Sequence, residues 1–541
     1  MDMNPLPSVG AADGPKELPY FKLKDNSTAE LKLAAGELPC RELEDDSTVV
    51  ITDRGILDLL DFYSGKTFAR IKSAKPDAGD GLLVIGDIEN VKDDVPIYTL
   101  YRGEKDGEFS LKTGNIMGVF TLRRGNDAVR LVIGSRFDDN EKQPFLCWML
   151  ERVLNVNLTD FISSSSSEFW TILLELLFWH KLGEASRVGL YRQYQKVEYN
   201  DLRFRGKFDV DRHIRLNMPL WANIAYSRRE IVFDNPVNHL LRYAANIITS
   251  KWAKSRTNGV LSRNSDAREM LLAIETNTPS WTPDRLNAVL RDRTASGKIT
   301  QPYYAEYYEE LRVLARYIIR HMGADVYSGT AARNEHSING IILDGSWLWE
   351  AYLASILERK SFIHAIPPNN PRQKGKDPIY AMSDEGNTQP RRSLYPDFRL
   401  PENGDDQKSL VVLDAKYKKG DAKGGISVRR QDMHQCLAYM LLTGAKVGGV
   451  VYPPRLRDDG NDEDEDEDRN NVGFWRINAP YPGLFWKSFT FSAWDEHDFT
   501  AVMTKNEQNF EEYLANIIAR AQQRSGEASP MAVSGSASAE K

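Results

Sequence analysis

The chain has 541 residues, of which 41% are hydrophobic, 10% aromatic and 27% charged, with a formal net charge of -7. That length accommodates three or four domains, each with its own core, and the composition is that of an ordinary soluble protein. Met1-Asp-Met-Asn-Pro5 has neither the basic nor the apolar region of a secretion signal, and no apolar run approaches a membrane span, so a cytoplasmic protein with no membrane attachment is expected.

Cys40, Cys147 and Cys436 are far apart and show no metal-ligand spacing; they read as buried thiols in a reducing compartment. The net charge is unevenly spread. Asp458 to Asp468 holds nine acidic residues, whereas Pro371 to Arg430 carries 13 Lys/Arg against 9 Asp/Glu. A polyanionic substrate would meet its positive counterpart in that second stretch.

Residues 1–30 are rich in Pro, Gly and charge without periodicity and read as a mobile arm. Over 31–160, short apolar stretches such as Ser47–Thr52, Gly81–Gly86 and Ala128–Gly134 alternate with turns, the pattern of a β-rich domain with a possible partner or DNA contact. Ile56–Phe62 and Phe145–Leu154 look helical within it. Residues 161–335 read as a mainly α-helical middle domain. It opens at a serine run where Ser165 and Glu168 have capping-box spacing, with further helices near 236–254, 265–275, 283–293 and 303–322. Leu202–Asp211, centred on Gly206 and carrying Arg203, Arg205 and Lys207, looks like an exposed ribbon or turn.

From 336 to 525 the pattern becomes α/β. A helix over Ser346–Lys360 precedes strands at 361–366, 394–400 and 409–416, a helix at 429–442, a strand at 448–452, strands near 473–478 and 487–492, and a helix at 507–523. An acidic insertion at 457–471 interrupts this domain, and 526–541 is a disordered tail. The whole is multidomain α+β.

The chemistry concentrates in Tyr395-Pro-Asp-Phe-Arg399 and Ser409-Leu-Val-Val-Leu-Asp-Ala-Lys416. The Pro401–Lys408 gap has turn composition, so the two stretches form a hairpin. Residues two apart on a strand share a face, so Asp414 and Lys416 point together and Asp397 falls beside them. Phosphodiester hydrolysis needs a nucleophilic water and relief of charge at the phosphoryl group. Carboxylate-held metal ions and a lysine can supply both. Asp397 and Asp414 are candidate ligands for Mg2+ or Mn2+, the Ala415 carbonyl adds a hard oxygen, and Lys416 is the candidate for orienting or deprotonating the water.

Taken alone, this triplet also reads as a solvent-facing strand end with a local Asp–Lys pair. Two flanking features strengthen the site. Gln435 and Tyr439 are four apart and share a helix face, and Glu350 lies on a largely apolar helix, where a carboxylate is costly unless used. Arg391, Arg392, Lys418, Lys419, Arg429 and Arg430 are candidate contacts to DNA phosphates, which carry no sequence information. His364 and His434 read as structural or surface residues.

This ordered set of helix acid, Asp strand, Asp-X-Lys strand and Gln-X-X-X-Tyr helix resembles the PD-(D/E)XK nuclease superfamily, with a restriction-endonuclease-like core. Asp397, Asp414 and Lys416 match its motif positions, Glu350 its first-helix acid, and Gln435 and Tyr439 its QxxxY element. Asp414-Ala-Lys-Tyr-Lys-Lys419, Phe204-Arg-Gly-Lys-Phe-Asp209 and Phe233–Leu241 are similar to the McrC nuclease subunits of McrBC restriction systems, and Ile133-Gly-Ser-Arg-Phe137 matches more loosely. The resemblance implies a cytoplasmic, metal-dependent endodeoxyribonuclease for phage defence. Its partner would be a GTP-hydrolysing, McrB-like AAA+ ring that the chain stimulates. Consistent with this, the chain shows no Gly-X-X-X-X-Gly-Lys-Ser/Thr loop and is expected to bind no nucleotide itself. A non-cleaving DNA-binding adaptor of such a ring, and a stand-alone repair or mobile-element nuclease, are the alternatives.

Overall fold

The computed structural model describes residues 20–33, 48–51, 53–67, 82–85, 96–105, 107–125, 127–138, 143–155, 166–219, 222–252, 264–322, 336–366, 376–383, 390–402, 405–418, 430–455, 472–476, 483–490 and 499–527. The acidic insertion at 457–471 and most of the 526–541 tail lie outside these residues. The chain divides into two compact units. One comprises Met1–Lys75, Val84–Ser166 and Glu335–Lys541, the other Pro76–Leu83 and Ser167–Asn334. Among the described residues, no helix is long and apolar enough to cross a membrane.

In the first unit, β1 (Tyr20–Lys24), β2 (Ile116–Arg124) and β3 (Asp127–Gly134) are followed by α1 (Pro144–Leu154). β1 lies within the expected mobile arm, which is a correction: it pairs in parallel with β3 and buries Phe21 and Leu23. Its Tyr-Phe-Lys-Leu-Lys pattern alternates with period two, but five residues are easily hidden by polar, Pro-rich flanks. β2 pairs antiparallel with β3 and also with β4 (His336–Asp344), which arrives from more than 200 residues downstream. Gly118 of β2 permits that second pairing. Its φ is +146°, and a Cβ there would sit 2.0 Å from the Ile341 carbonyl oxygen, so only glycine fits.

α2 (Gly345–Leu357) follows β4 directly, with the Asp344 side chain capping it by accepting from the Ser346 and Trp347 amides. Its Leu348, Trp349, Tyr352, Leu353, Ile356 and Leu357 are buried. The remaining elements are β5 (Ile363–His364), β6 (Phe398–Glu402), β7 (Asp405–Ala415), α3 (Arg430–Thr443), β8 (Val447–Arg455), β9 (Val472–Arg476), β10 (Gly483–Thr490) and α4 (Phe499–Glu527). The sheet order is β5-β6-β7-β8-β10-β9. β6 and β7 form an antiparallel hairpin, and β7, β8 and β10 run parallel. Central parallel strands are buried on both faces, which is why Leu410–Leu413 reads as an unbroken apolar run.

The strand expected over 394–400 is broken in two. Pro390–Leu394 pairs with Ile379–Ser383, and β6 begins only at Phe398. Pro396 has no N–H to continue a ladder, so Asp397 stands at the break. α3 covers the sheet, with Cys436, Tyr439 and Met440 packed on Val412, Val450 and Tyr452. Burial of each such aliphatic or aromatic side chain contributes about 1.5–3 kcal/mol. The approach is close because residue 448 is glycine: a Cβ there would lie 2.3 Å from the Met440 sulfur and 2.8 Å from that of Cys436.

The second unit holds helices Ser166–Ala185, Pro236–Trp252, Ser265–Asn277 and Pro302–Met322 around buried Trp170, Phe178, Trp179, Tyr243 and Tyr308. Expected as mainly helical, it also contains a three-stranded antiparallel sheet of Gln193–Asp201, Lys207–Phe208 and Ile224–Val232. Gln193–Asp201 alternates between half-buried and exposed positions and has almost no aliphatic residues, so apolar periodicity does not announce it. Leu202–Phe208 is exposed apart from half-buried Gly206, in line with the ribbon reading.

Candidate active site

The sheet places the ends of β6 and β7 side by side, and the triplet meets there. The Ala415 amide donates to Asp397 Oδ2 at 2.7 Å, tying the residue before β6 to the last residue of β7. The Asp397 backbone is held in turn by the Ala365 amide, 3.1 Å from its carbonyl oxygen. Lys416 leaves the strand anchored by its own amide on the Val451 carbonyl at 2.9 Å, and its Nζ lies 2.7 Å from Asp414 Oδ2.

The helix residues complete a relay. Lys416 Nζ donates to Gln435 Oε1 at 3.0 Å, Gln435 Nε2 donates to the Tyr439 hydroxyl at 2.9 Å, and that hydroxyl donates to the Tyr395 carbonyl at 3.2 Å. Gln435 and Tyr439 thus hold the lysine from one side while Asp414 holds it from the other.

The electrostatics are those of crowded carboxylates. Asp414 is fully buried, and its Oδ2 faces the Lys416 ammonium. Burial raises its carboxyl above the usual range, and the Lys416 charge restrains the rise. Asp397 is pushed well above that range by burial and by the Asp414 and Glu350 charges. Burial alone would lower Lys416, but Asp414 and Asp397 outweigh it and raise the ammonium, which therefore stays charged. In its charged form the lysine can orient a water and neutralise negative charge. The Tyr439 phenol is pushed up to about 12, chiefly by burial, and serves as a neutral donor.

Glu350 reaches a histidine on β5. Its Oε1 is 2.7 Å from His364 Nε2, whose ring stacks on Phe398 with centroids 4.9 Å apart. Among the described residues no group of three His, Cys, Asp or Glu side chains is arranged to hold a metal ion. The Glu350 charge nonetheless acts on Asp397. His364 was read as structural or surface, and its contact with Glu350 spans 14 positions that no helix or strand spacing predicts. Asp432, also not foreseen, is buried in the first turn of α3 and takes Lys418 Nζ at 2.9 Å. Lys418 is thus paired with Asp432. Arg430 is exposed at the start of α3, Arg391 and Arg392 lie on strand Pro390–Leu394, and Lys419 and Arg429 fall outside the described residues.

A hard divalent cation can be tested against these groups. The buried oxygens of Asp414, one of them paired with Lys416, the Asp397 carboxyl and the Ala415 carbonyl are the all-oxygen donors such an ion prefers. Magnesium commonly binds through only one or two carboxylates while keeping several waters. The residues fit the group.

Residues 111–453, more than half of the chain, match the family model described as McrBC 5-methylcytosine restriction system component. The chain belongs to the McrBC family. It is a restriction-system subunit, and the matched span includes every residue of the triplet, Glu350, Gln435 and Tyr439. The fold is also similar to a chain in the refined half-complex from the tetradecameric assembly of Thermococcus gammatolerans McrB AAA+ hexamers with bound McrC. The identity is 16% and the TM-score 0.50, over 92% of this chain and 100% of that one. A chain in the cryo-EM structure of the Thermococcus gammatolerans McrBC complex aligns at 16% identity over 63% of this McrBC-family chain and 88% of its own length, with a TM-score of 0.32. A comparison with curated proteins finds no match.

Proposed function

We propose that this chain is the DNA-cutting subunit of an McrBC-type, NTP-driven restriction complex acting on foreign DNA in the cytoplasm, with a PD-(D/E)XK nuclease core. The observation that carries this reading is the buried Asp397/Asp414 pair with Lys416 Nζ 2.7 Å from Asp414, at adjacent strand ends. Asp397, Asp414 and the Ala415 carbonyl would hold a magnesium or manganese ion. When bound, that ion supplies relief of the charge developing on the phosphoryl oxygens and lowers the pKa of water.

The chain's own residues do the positioning. The Ala415 amide takes up Asp397 Oδ2 and so orients the carboxyl. Lys416, kept charged by both aspartates, orients the attacking water and neutralises the phosphate it faces. Gln435, braced by Tyr439, gives the lysine a second anchor beside Asp414. Arg430 and the basic residues around the site would meet the DNA backbone without reading sequence.

In this reading the partner is an AAA+ GTPase ring whose hydrolysis the chain stimulates. The exposed segment with Leu202, Phe204, Phe208 and Ile214, interleaved with Arg203, Arg205 and Lys207, offers it an amphipathic contact. The test is cleavage of 5-methylcytosine-bearing plasmid with the ring partner, GTP and Mg2+. Asp414→Ala and Lys416→Ala should each abolish cutting while GTPase stimulation persists, and intact cutting by either variant would overturn the site.

The Glu350–His364 pair favours a second reading, in which a site short of one acid no longer cuts and the chain acts as a DNA-binding activator of the ring. Full GTPase stimulation by a wild-type protein that never cuts in the same assay selects it.

A further inference from the structure

Arg136 belongs to the loop after β3, far from the triplet in sequence, yet it is almost completely buried and its guanidinium serves three groups at once. Nη2 donates to the carbonyl oxygen of Tyr417, the residue that follows Lys416. Nη1 donates to Asn115 Oδ1 at 3.1 Å and pairs with Asp25 Oδ2 at 3.3 Å, and the Arg136 amide donates to Asp25 Oδ1 at 2.6 Å. The guanidinium also lies over the Tyr417 ring, 4.5 Å from its centroid.

Asn115 carries the connection to α2. Its Nδ2 donates to Ser346 Oγ at 3.2 Å, and its carbonyl oxygen accepts from the Gly345 amide at 2.8 Å. Gly345 is itself pressed on Tyr417, since a Cβ there would fall 2.5 Å from the tyrosine ring. The exit of β7, which carries Asp414, Ala415 and Lys416, and the first turn of the helix that carries Glu350 are therefore fastened to one guanidinium. A planar fork with several fixed donors can bridge acceptors in different directions, which a lysine ammonium on a flexible stem does poorly.

We infer that Arg136 is a positioning residue for the Asp397/Asp414/Lys416 site, clamping the Tyr417 carbonyl and, through Asn115, the start of α2. The inference rests on the nuclease reading for its catalytic consequence, but the clamp itself is a statement about β7 and α2. Residues flanking the β1–β4 sheet thereby set the geometry at Tyr417, 281 positions after Arg136. Displacing reacting groups by about 1 Å can cost about 100-fold in rate, so the clamp acts on the rate at bound DNA rather than on DNA affinity.

The experiment compares Arg136→Lys, Asn115→Ala and a destabilised control, Leu31→Ala, at a buried position of the separate sheet in which Thr28–Leu33 pairs with Glu108–Thr113, in the complete complex with ring partner, GTP, Mg2+ and methylated plasmid. Single-turnover cutting at saturating DNA should fall about tenfold or more in the two clamp variants, with half-saturating DNA within about twofold of wild type. Hydrogen exchange of the 414–418 peptide should rise about tenfold in both and stay unchanged in Leu31→Ala. If Arg136→Lys does not fold, Asn115→Ala alone decides, because its side chain is only half-buried. Unchanged exchange at 414–418, or cutting slowed no more than in Leu31→Ala, overturns the inference. Should wild type fail to cut, or Asp414→Ala cut normally, the nuclease reading and with it the positioning role fall. Raised exchange at 414–418 would then still establish the clamp itself.

Discussion

A site built from strained carboxylates should become more stable when one of them is neutralised, and Asp397→Asn is the cleanest way to ask. Asparagine keeps an oxygen for the Ala415 amide, now 2.7 Å from Asp397 Oδ2, so the tie between β6 and β7 survives. What disappears is a charge that burial, Asp414 and Glu350 all oppose. A buried polar group without full compensation costs about 1–3 kcal/mol, and exchanging the charge-assisted bond to Ala415 for a neutral one returns part of that. The expected net is a gain of about 1–2 kcal/mol, or a few degrees in Tm for a unit of this size.

The pH dependence gives the sign a second test. The folded-state value of Asp397 lies well above the 3.8 of an unperturbed aspartate. Its contribution to wild-type stability is therefore fully present below about pH 4 and is lost as pH rises through the raised folded value. The advantage of Asp397→Asn should accordingly be small near pH 4 and grow toward neutral and alkaline pH, measured by urea denaturation without divalent ions. Mg2+ at about ten times its Kd should then stabilise the wild type by about 1.4 kcal/mol and leave the variant unmoved. Cutting by the variant should drop about 100-fold or more. A variant less stable than wild type at pH 8 without metal, or a difference flat with pH, would refute the reasoning that the carboxyl is held under electrostatic stress.

Three further outcomes follow from the same contacts. Gln435→Ala releases both Lys416 Nζ and the Tyr439 hydroxyl; single-turnover cutting should slow about 10- to 100-fold with DNA affinity unchanged in a filter-binding assay. Asp25, raised by burial to about 6 despite Arg136, stabilises the fold as its protonated form below about pH 4 and loses that contribution as pH climbs through about 6, a span worth about 3 kcal/mol. Asp25→Asn should flatten the stability profile across that window, read as the difference between wild-type and variant denaturation curves. Gly448→Ala forces a Cβ to within 2.3 Å of the Met440 sulfur and should cost about 1–3 kcal/mol in equilibrium unfolding.

How much of this was legible in the chain depends on how far apart the contacting residues are. Asp414 and Lys416 share a face because strand side chains alternate, and Gln435 reaches Tyr439 because helix neighbours are four apart; both follow from local geometry, and the structure places them so. Asp397 was identifiable from its motif, but the strand around it was not, since the break at Pro396 depends on which neighbour each half finds. The polar sheet of the second unit escaped because half-buried strands without aliphatic residues carry no apolar period. Glu350 was expected to serve the metal, and its pairing with His364 turns on how β5 lies against β6, a tertiary fact.

The same division separates the chemistry of the site from its rigidity. The groups proposed to act on DNA sit on two adjacent strand ends and one helix face, where spacing rules reach. The groups inferred to hold them still, Arg136, Asn115 and Asp25, flank the strands of a sheet closed by β4, and the Asn115–Ser346 and Arg136–Tyr417 contacts cross 231 and 281 positions. No periodicity marks such residues, because their contacts are tertiary and do not face a substrate. An arginine and an aspartate at buried positions of a β-rich segment are costly to keep. In this chain that cost coincides with the exit of the strand that leads into Lys416, which makes the β1–β4 sheet part of the framework of the candidate site rather than a separate attachment to it.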